Sequence, residues 1–154
     1  MRFMMFMIPP EYQSDTASDK KAGQDFAPPA EAVEAMMKYN EELAKAGVLI
    51  SLDGLHPLLK GARVKFKAGK TTVTDGPFIE AKDVIGGYWI IDVKSKDEAV
   101  EWAKLCPAVK VDSGAVVEVR QIFELSEFPE DVRKAADSKI VTEELKRRKA
   151  QNQE

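Results

Sequence analysis

The 154-residue chain has one cysteine, Cys106, and one histidine, His56. A lone cysteine excludes an intramolecular disulfide. With a lone histidine it also leaves a structural zinc site, which usually takes four Cys or His ligands, without its donor set. No carboxylate spacing resembles an EF-hand loop, so no metal and no cofactor is expected. A dominant charge is lacking too: 23 Lys and Arg stand against 26 Asp and Glu, a net charge of −3. That balance gives no global attraction to nucleic acid or to an anionic membrane. No apolar run approaches the roughly 18 residues of a membrane span. The start, MRFMMFMIPP, has eight residues before its prolines and no small-residue cleavage site, so no secretory signal is expected. The single cysteine fits a reducing compartment, and a cytoplasmic location is expected.

What is present is globular composition, 44% apolar, in a length that suits one core. Residues 2–8, RFMMFMI, read as a strand apolar on both faces, stopped by Pro9-Pro10. Residues 11–28 are polar and read as a long loop, either functional or mobile. Pro28-Pro29 opens a helix, with Glu31 and Glu34 favourable near its start. Val33, Met36, Met37, Asn40, Leu43 and Ala44 keep the spacing of one buried helical face, and Gly47 ends it. VLISL (48–52) is a second strand. ARVKFKAG (62–69) alternates as a half-exposed strand, and TTVT (71–74) returns as its hairpin partner. Gly86-Gly87 precede YWIIDV (88–93), a strongly β-forming run. Ser95 and Glu98 form a capping box for a helix whose inner face is Ala99, Trp102, Ala103 and Cys106, ended by Pro107. AVVEVRQIFEL (115–125) is the last strand, with Val117, Val119 and Phe123 on one face. Residues 126–154 read as a charged helical extension with Glu143/Arg147 and Glu144/Arg148 spaced as i,i+4 pairs. The run KRRK (146–149) reads as a solvated helix end that complements the dipole rather than a nucleic-acid contact.

The element order is β-α-β, a β-hairpin, then β-α-β. This predicts an α+β, ferredoxin-like split arrangement over residues 1–125, with helices on one face of an antiparallel sheet. Met4, Phe6, Val116 and Ile122 alternate onto the opposite face. One chain has no second layer to cover it, so a homodimer is expected.

The stretches KAGVLISLDGLHP, VTDGPFIEAKDVIGGYWIIDVKSKDEAVEWAKLCP and VVEVRQI resemble the YCII-related family, in its DGPF subgroup, over residues 1–125. The most specific words are Thr74-Asp75-Gly76-Pro77-Phe78, then Glu80 and Lys82, Gly86-Gly87-Tyr88 and Val117-Glu118-Val119-Arg120. The resemblance implies a dimeric α+β barrel of two ferredoxin-like halves. It also implies relatives beside or joined to sigma factors, and others similar to a dehydrochlorinase. Some members carry a His-Asp pair with the His on the first helix. Met36 stands there in this chain, so that pair is not carried over.

Asp75-Gly76-Pro77 has a complete explanation as a turn: Asp accepts backbone N–H bonds two residues on, Gly tolerates the required backbone, and Pro restricts it. A functional reading sits beside it. His56, in the loop LDGLHP, and Asp75 leave strand ends near the hairpin and are the candidate catalytic pair. An imidazole oriented by a carboxylate is a general base near neutral pH. Glu80, Lys82, Glu118 and Arg120 are the candidate ligand-binding residues, Lys82 to steady an anion. Two functions follow. One is a small cytoplasmic dimer binding a small polar or anionic ligand near the DGPF loop, with lyase- or isomerase-like acid–base chemistry as its extension. The other is a non-catalytic protein-interaction module linked to sigma-factor-dependent transcription.

Overall fold

Strand β1 (Arg2–Ile8) alternates buried and half-buried residues along most of its length. The computed structural model describes residues 1–18, 20–23, 25–78, 82–110 and 113–151. Within them, β1 pairs antiparallel with β5 (Gly87–Asp92) on one side and β6 (Val116–Gln121) on the other. Strand β2 (Leu49–Gly54) adds outside β5, which gives the order β2-β5-β1-β6. Helix α1 (Ala30–Lys45) links β1 to β2, and α2 (Lys96–Lys104) links β5 to β6. Two β-α-β units therefore interleave, the ferredoxin-like α+β arrangement expected from the element order.

Alternation decides which side chains meet the helices. Phe3 and Met5 of β1 and Trp89 and Ile91 of β5 pack with Tyr39 and Leu43 of α1 and with Ala99, Ala103 and Cys106. Burying each large apolar side chain contributes about 1.5–3 kcal/mol. The opposite sheet face carries Met4, Phe6 and Ile90, all partly exposed.

Four expectations need correction. The buried stripe of α1 is Tyr39, Asn40 and Leu43, whereas Val33 and Met37 are 43% and 52% exposed. The first turns of this helix stand over a cavity instead of over the sheet. The last strand stops at Gln121, because Ile122 N–H donates to Arg2 O at 2.9 Å and β1 offers no residue beyond. Phe123 is consequently 75% exposed. The hairpin strands β3 (Ala62–Lys67) and β4 (Lys70–Asp75) form their own two-stranded sheet and are exposed throughout, not half-exposed. Finally, Glu98 reaches back to the N–H of Lys94, not to that of the N-cap Ser95, whose hydroxyl accepts from Glu98 N–H.

Pro107 does end α2's run, and it also opens the short helix α3 (Pro107–Lys110). The 11–28 loop is tied down by its own residues. Gln13 donates from Nε2 to Pro9 O and Val84 O at 2.7 and 3.0 Å, and its Oε1 accepts from Val84 N–H. Tyr12 meets Phe26 edge-on, with ring centroids 5.8 Å apart.

The chain divides into two compact units, Met1–Ile122 and Phe123–Glu154. The second holds α4 (Glu130–Ala135) and α5 (Lys139–Gln151). Glu144 accepts from both Arg147 and Arg148, which together hold its carboxyl below the usual range; the expected Glu144/Arg148 pair forms, whereas Arg147 bonds Glu144 at i,i+3 instead of the expected Glu143. No helix among the described residues is long and apolar enough to cross a membrane.

Cys106 is fully buried, and burial pushes its thiol above the ordinary value against two backbone hydrogen bonds. A thiol held neutral in the core is a poor nucleophile. The native protein is expected to resist a thiol-specific reagent that labels it at once in denaturant; equal rates in both states would contradict this placement.

Candidate functional site

The loops after β1 and β2, the first half of α1 and the start of β5 enclose a cavity of about 490 Å³. Its floor is the end of the core, Trp89 and Asn40, and its walls are Met36, Met37, Phe26 and Leu55. The polar groups that reach it are few: Glu11, Tyr12, Asn40, Asp53, His56 and Tyr88. An apolar concavity of this size with a few convergent polar groups is the usual form of a small-molecule site.

Close backbone approach builds it. Gly86 N–H donates to Met7 O and its carbonyl accepts from Leu55 N–H, both at 2.8 Å, so one residue ties the ends of β1 and β2 together. A Cβ on Gly86 would come 2.6 Å from Pro9 Cγ. Tyr12 OH then donates to Leu55 O at 2.8 Å, drawing the 11–28 loop over the edge of the cavity.

Asn40 is the buried polar residue of the wall, 7% exposed. Its Oδ1 accepts from the Trp89 indole N–H at 2.8 Å. Tyr88 OH donates to Asp53 Oδ2 at 2.8 Å, and that hydrogen bond raises the tyrosine's pKa. Behind the wall, Tyr39 OH donates to Trp102 O, and burial is the first cause of its raised pKa.

The residues singled out from sequence are distributed unevenly. His56 is exposed and lines the cavity. Asp75 ends β4 opposite Ala62 and is not among the lining residues. The loops carrying the two do converge: Gly76 N–H donates to Gly61 O at 2.8 Å, and a Cβ on Gly76 would fall 1.7 Å from Leu58 O. Among the described residues no hydrogen bond or ion pair joins His56 to Asp75. Phe78 lies under the Arg63 guanidinium, 4.1 Å from its ring centroid. Lys82 is exposed and does not line the cavity, and Glu80 lies outside the described residues. Glu118 and Arg120 sit on the uncovered sheet face, opposite Phe6 and Met4, with 3.9 Å between Arg120 Nε and Glu118 Oε1. No three His, Cys, Asp or Glu among the described residues are grouped to hold a metal ion.

Sequence reasoning placed Asn40 on a buried helical face and passed over its chemistry. The available signal was an amide within an otherwise apolar stripe. Asp53 and Tyr12 were not singled out, since long-range hydrogen bonds tie them in at the site, and Tyr88 stood out only as part of Gly86-Gly87-Tyr88.

A YCII-related domain matches residues 1–126. The chain belongs to the YCII-related family. It is also similar to "Uncharacterized protein R00369" of Rhizobium meliloti (strain 1021), with 40% identity over 60 residues, 39% of this chain and 48% of that protein. The chain thus matches about half the length of that relative.

The contact at Gly76 gives a direct test. Gly76→Ala drives a methyl into a backbone carbonyl, so the 57–61 turn or the hairpin base must move, at a cost of about 1–3 kcal/mol. Denaturant unfolding should show this loss, and unchanged stability would mean that the two loops do not meet as described.

Proposed function

We propose that this YCII-related chain, as a member of the DGPF subgroup on its Thr74–Phe78 motif, binds a small polar molecule in the cavity beside His56. The observation that carries the reading is the apolar cavity of about 490 Å³ with His56 and Asp53 among its polar groups. His56 is its acid–base group, suited to proton transfer at a bound ligand and thus to lyase- or isomerase-like chemistry. Asp75 is the candidate to orient it, since its neighbour Gly76 packs on Leu58, two residues beyond His56. Protein-observed NMR with a fragment library tests this, because His56 is the only histidine and its ring signals are unambiguous. Bound fragments should move the His56 ring and Trp89 indole signals, and Asp75→Asn should move the His56 signals without ligand. Fragments that leave both residues unmoved would exclude the cavity as the site. A His56 ring indifferent to Asp75→Asn would leave Asp75 a turn residue only.

The reading includes a cytoplasmic homodimer in which a second copy covers Met4, Phe6 and Ile90. Glu118 and Arg120 flank that face, so a two-fold copy can meet each charge with its opposite. In such a dimer these two residues line the enclosed space and become available to a ligand. Sedimentation should give twice the chain mass, and Phe6→Glu should give the chain mass; a monomeric wild type would remove this part.

One observation favours the second reading, a protein-interaction module linked to sigma-factor-dependent transcription. Val64, Phe66 and Val73 are 67%, 75% and 67% exposed on one face of the hairpin, and Arg63, Lys65, Lys67 and Lys70 occupy the other. A two-stranded sheet with an uncovered apolar face is marginal in water and gains from a protein surface. That reading takes the lead if the cavity binds nothing.

A further inference from the structure

The Asn40–Trp89 hydrogen bond fixes more than a distance. An indole N–H can only donate, so it holds the Asn40 amide with its oxygen toward β5 and its nitrogen away. The nitrogen's hydrogen-bond partner is the Met37 sulfur at 3.7 Å, and a thioether is a weak acceptor. An amide nitrogen carries two N–H donors. One donor therefore remains for the occupant of the cavity, and the side chain that carries it is more than nine-tenths buried.

The charges of the lining exclude a class of occupant. Glu11 and Asp53 are both acidic, and no Lys or Arg lines the cavity among the described residues. An anion would leave water for a wall with two acidic side chains and no Lys or Arg among the described residues, an unfavourable exchange. A neutral acceptor that reaches Asn40 would meet its second N–H donor. The body of the occupant meets Met36, Met37, Phe26 and the Trp89 ring, surfaces that suit a flat ring system through thioether and aromatic contacts.

We propose, resting on the small-molecule reading above, that the cavity selects an uncharged ring compound bearing a carbonyl oxygen, and that Asn40 Nδ2 donates to that oxygen and sets the specificity. The ring lies against Met36 and Trp89, and His56 is left facing the ligand from the opposite loop.

Three probes of one skeleton test the class: methyl naphthyl ketone, ethylnaphthalene and naphthoate. Each is titrated into the full chain while the Trp89 indole and Asn40 side-chain amide signals are followed, with the Trp102 indole as the internal reference. The ketone should bind roughly two- to twelvefold more tightly than the hydrocarbon, the range of one net hydrogen bond, and naphthoate should bind most weakly. In Asn40→Leu the preference for the ketone should vanish while the hydrocarbon still binds. Should that variant fail to fold, Asn40→Leu combined with Trp89→Phe removes both partners of the hydrogen bond; binding is then followed at the ring signals of His56, the only histidine, which lines the cavity, and the same loss of preference is expected. Equal binding of ketone and hydrocarbon to the unsubstituted chain, or tightest binding of naphthoate, overturns the ligand class and leaves the cavity as a binding site. Trp89 and Asn40 signals unmoved by all three probes overturn both.

Discussion

The hydrogen bond from the Trp89 indole to the Asn40 amide is the constraint on which the candidate site depends. It crosses from the middle of β5 to the middle of α1 at 2.8 Å, so it sets how close the helix can lie to the sheet. On one side of it the helix packs tightly, with Tyr39 and Leu43 in the core. On the other the helix spans a cavity with Val33 and Met37 partly exposed. A buried amide and a buried indole each need a partner. The indole N–H and the amide oxygen satisfy one another, and of the amide nitrogen's two donors one meets the Met37 sulfur and one is left for the cavity that Asn40 lines.

The mouth of the cavity depends on backbone contact of a kind that only glycine permits. Gly86 stands against Pro9 and bonds the ends of β1 and β2, and Gly76 stands against Leu58. Gln13 adds a side chain that pairs with Val84 as a strand would, offering both an acceptor and donors. Tyr12 and Gln13 join the loop after β1 to Leu55 and Val84, and Gly76 joins the DGPF turn to the loop that follows His56. The DGPF turn is thus more than a chain reversal. Its glycine packs on the loop that presents His56, which is a structural reason for the motif whether or not Asp75 takes part in chemistry.

The sheet was legible in the sequence because RFMMFMI is an apolar run of strand length stopped by Pro9-Pro10, and YWIIDV is a run of aromatic and β-branched residues. The two helices were legible from Pro28-Pro29 and from Ser95. The last strand was read too long because its end depends on where β1 begins, which no local pattern in AVVEVRQIFEL records. The hairpin was read as half-exposed because Val64 and Phe66 alternate correctly, although both stay largely exposed among the described residues. Of the site, only His56 stood out, as the lone residue of its type. Asn40 was visible as an amide in an apolar stripe, but its partner Trp89 lies 49 positions away. Periodicity describes a face and is silent about what that face meets.

A double-mutant cycle between Asn40 and Trp89 measures the central claim most directly. Asn40→Leu and Trp89→Phe each leave a buried polar group without its partner, and each should lose about 1–3 kcal/mol in denaturant unfolding. The double variant removes both groups, so its loss should fall short of the sum by about 1 kcal/mol or more. Additive losses would mean that the indole and the amide do not bond across α1 and β5, and the donor facing the cavity would lose its support.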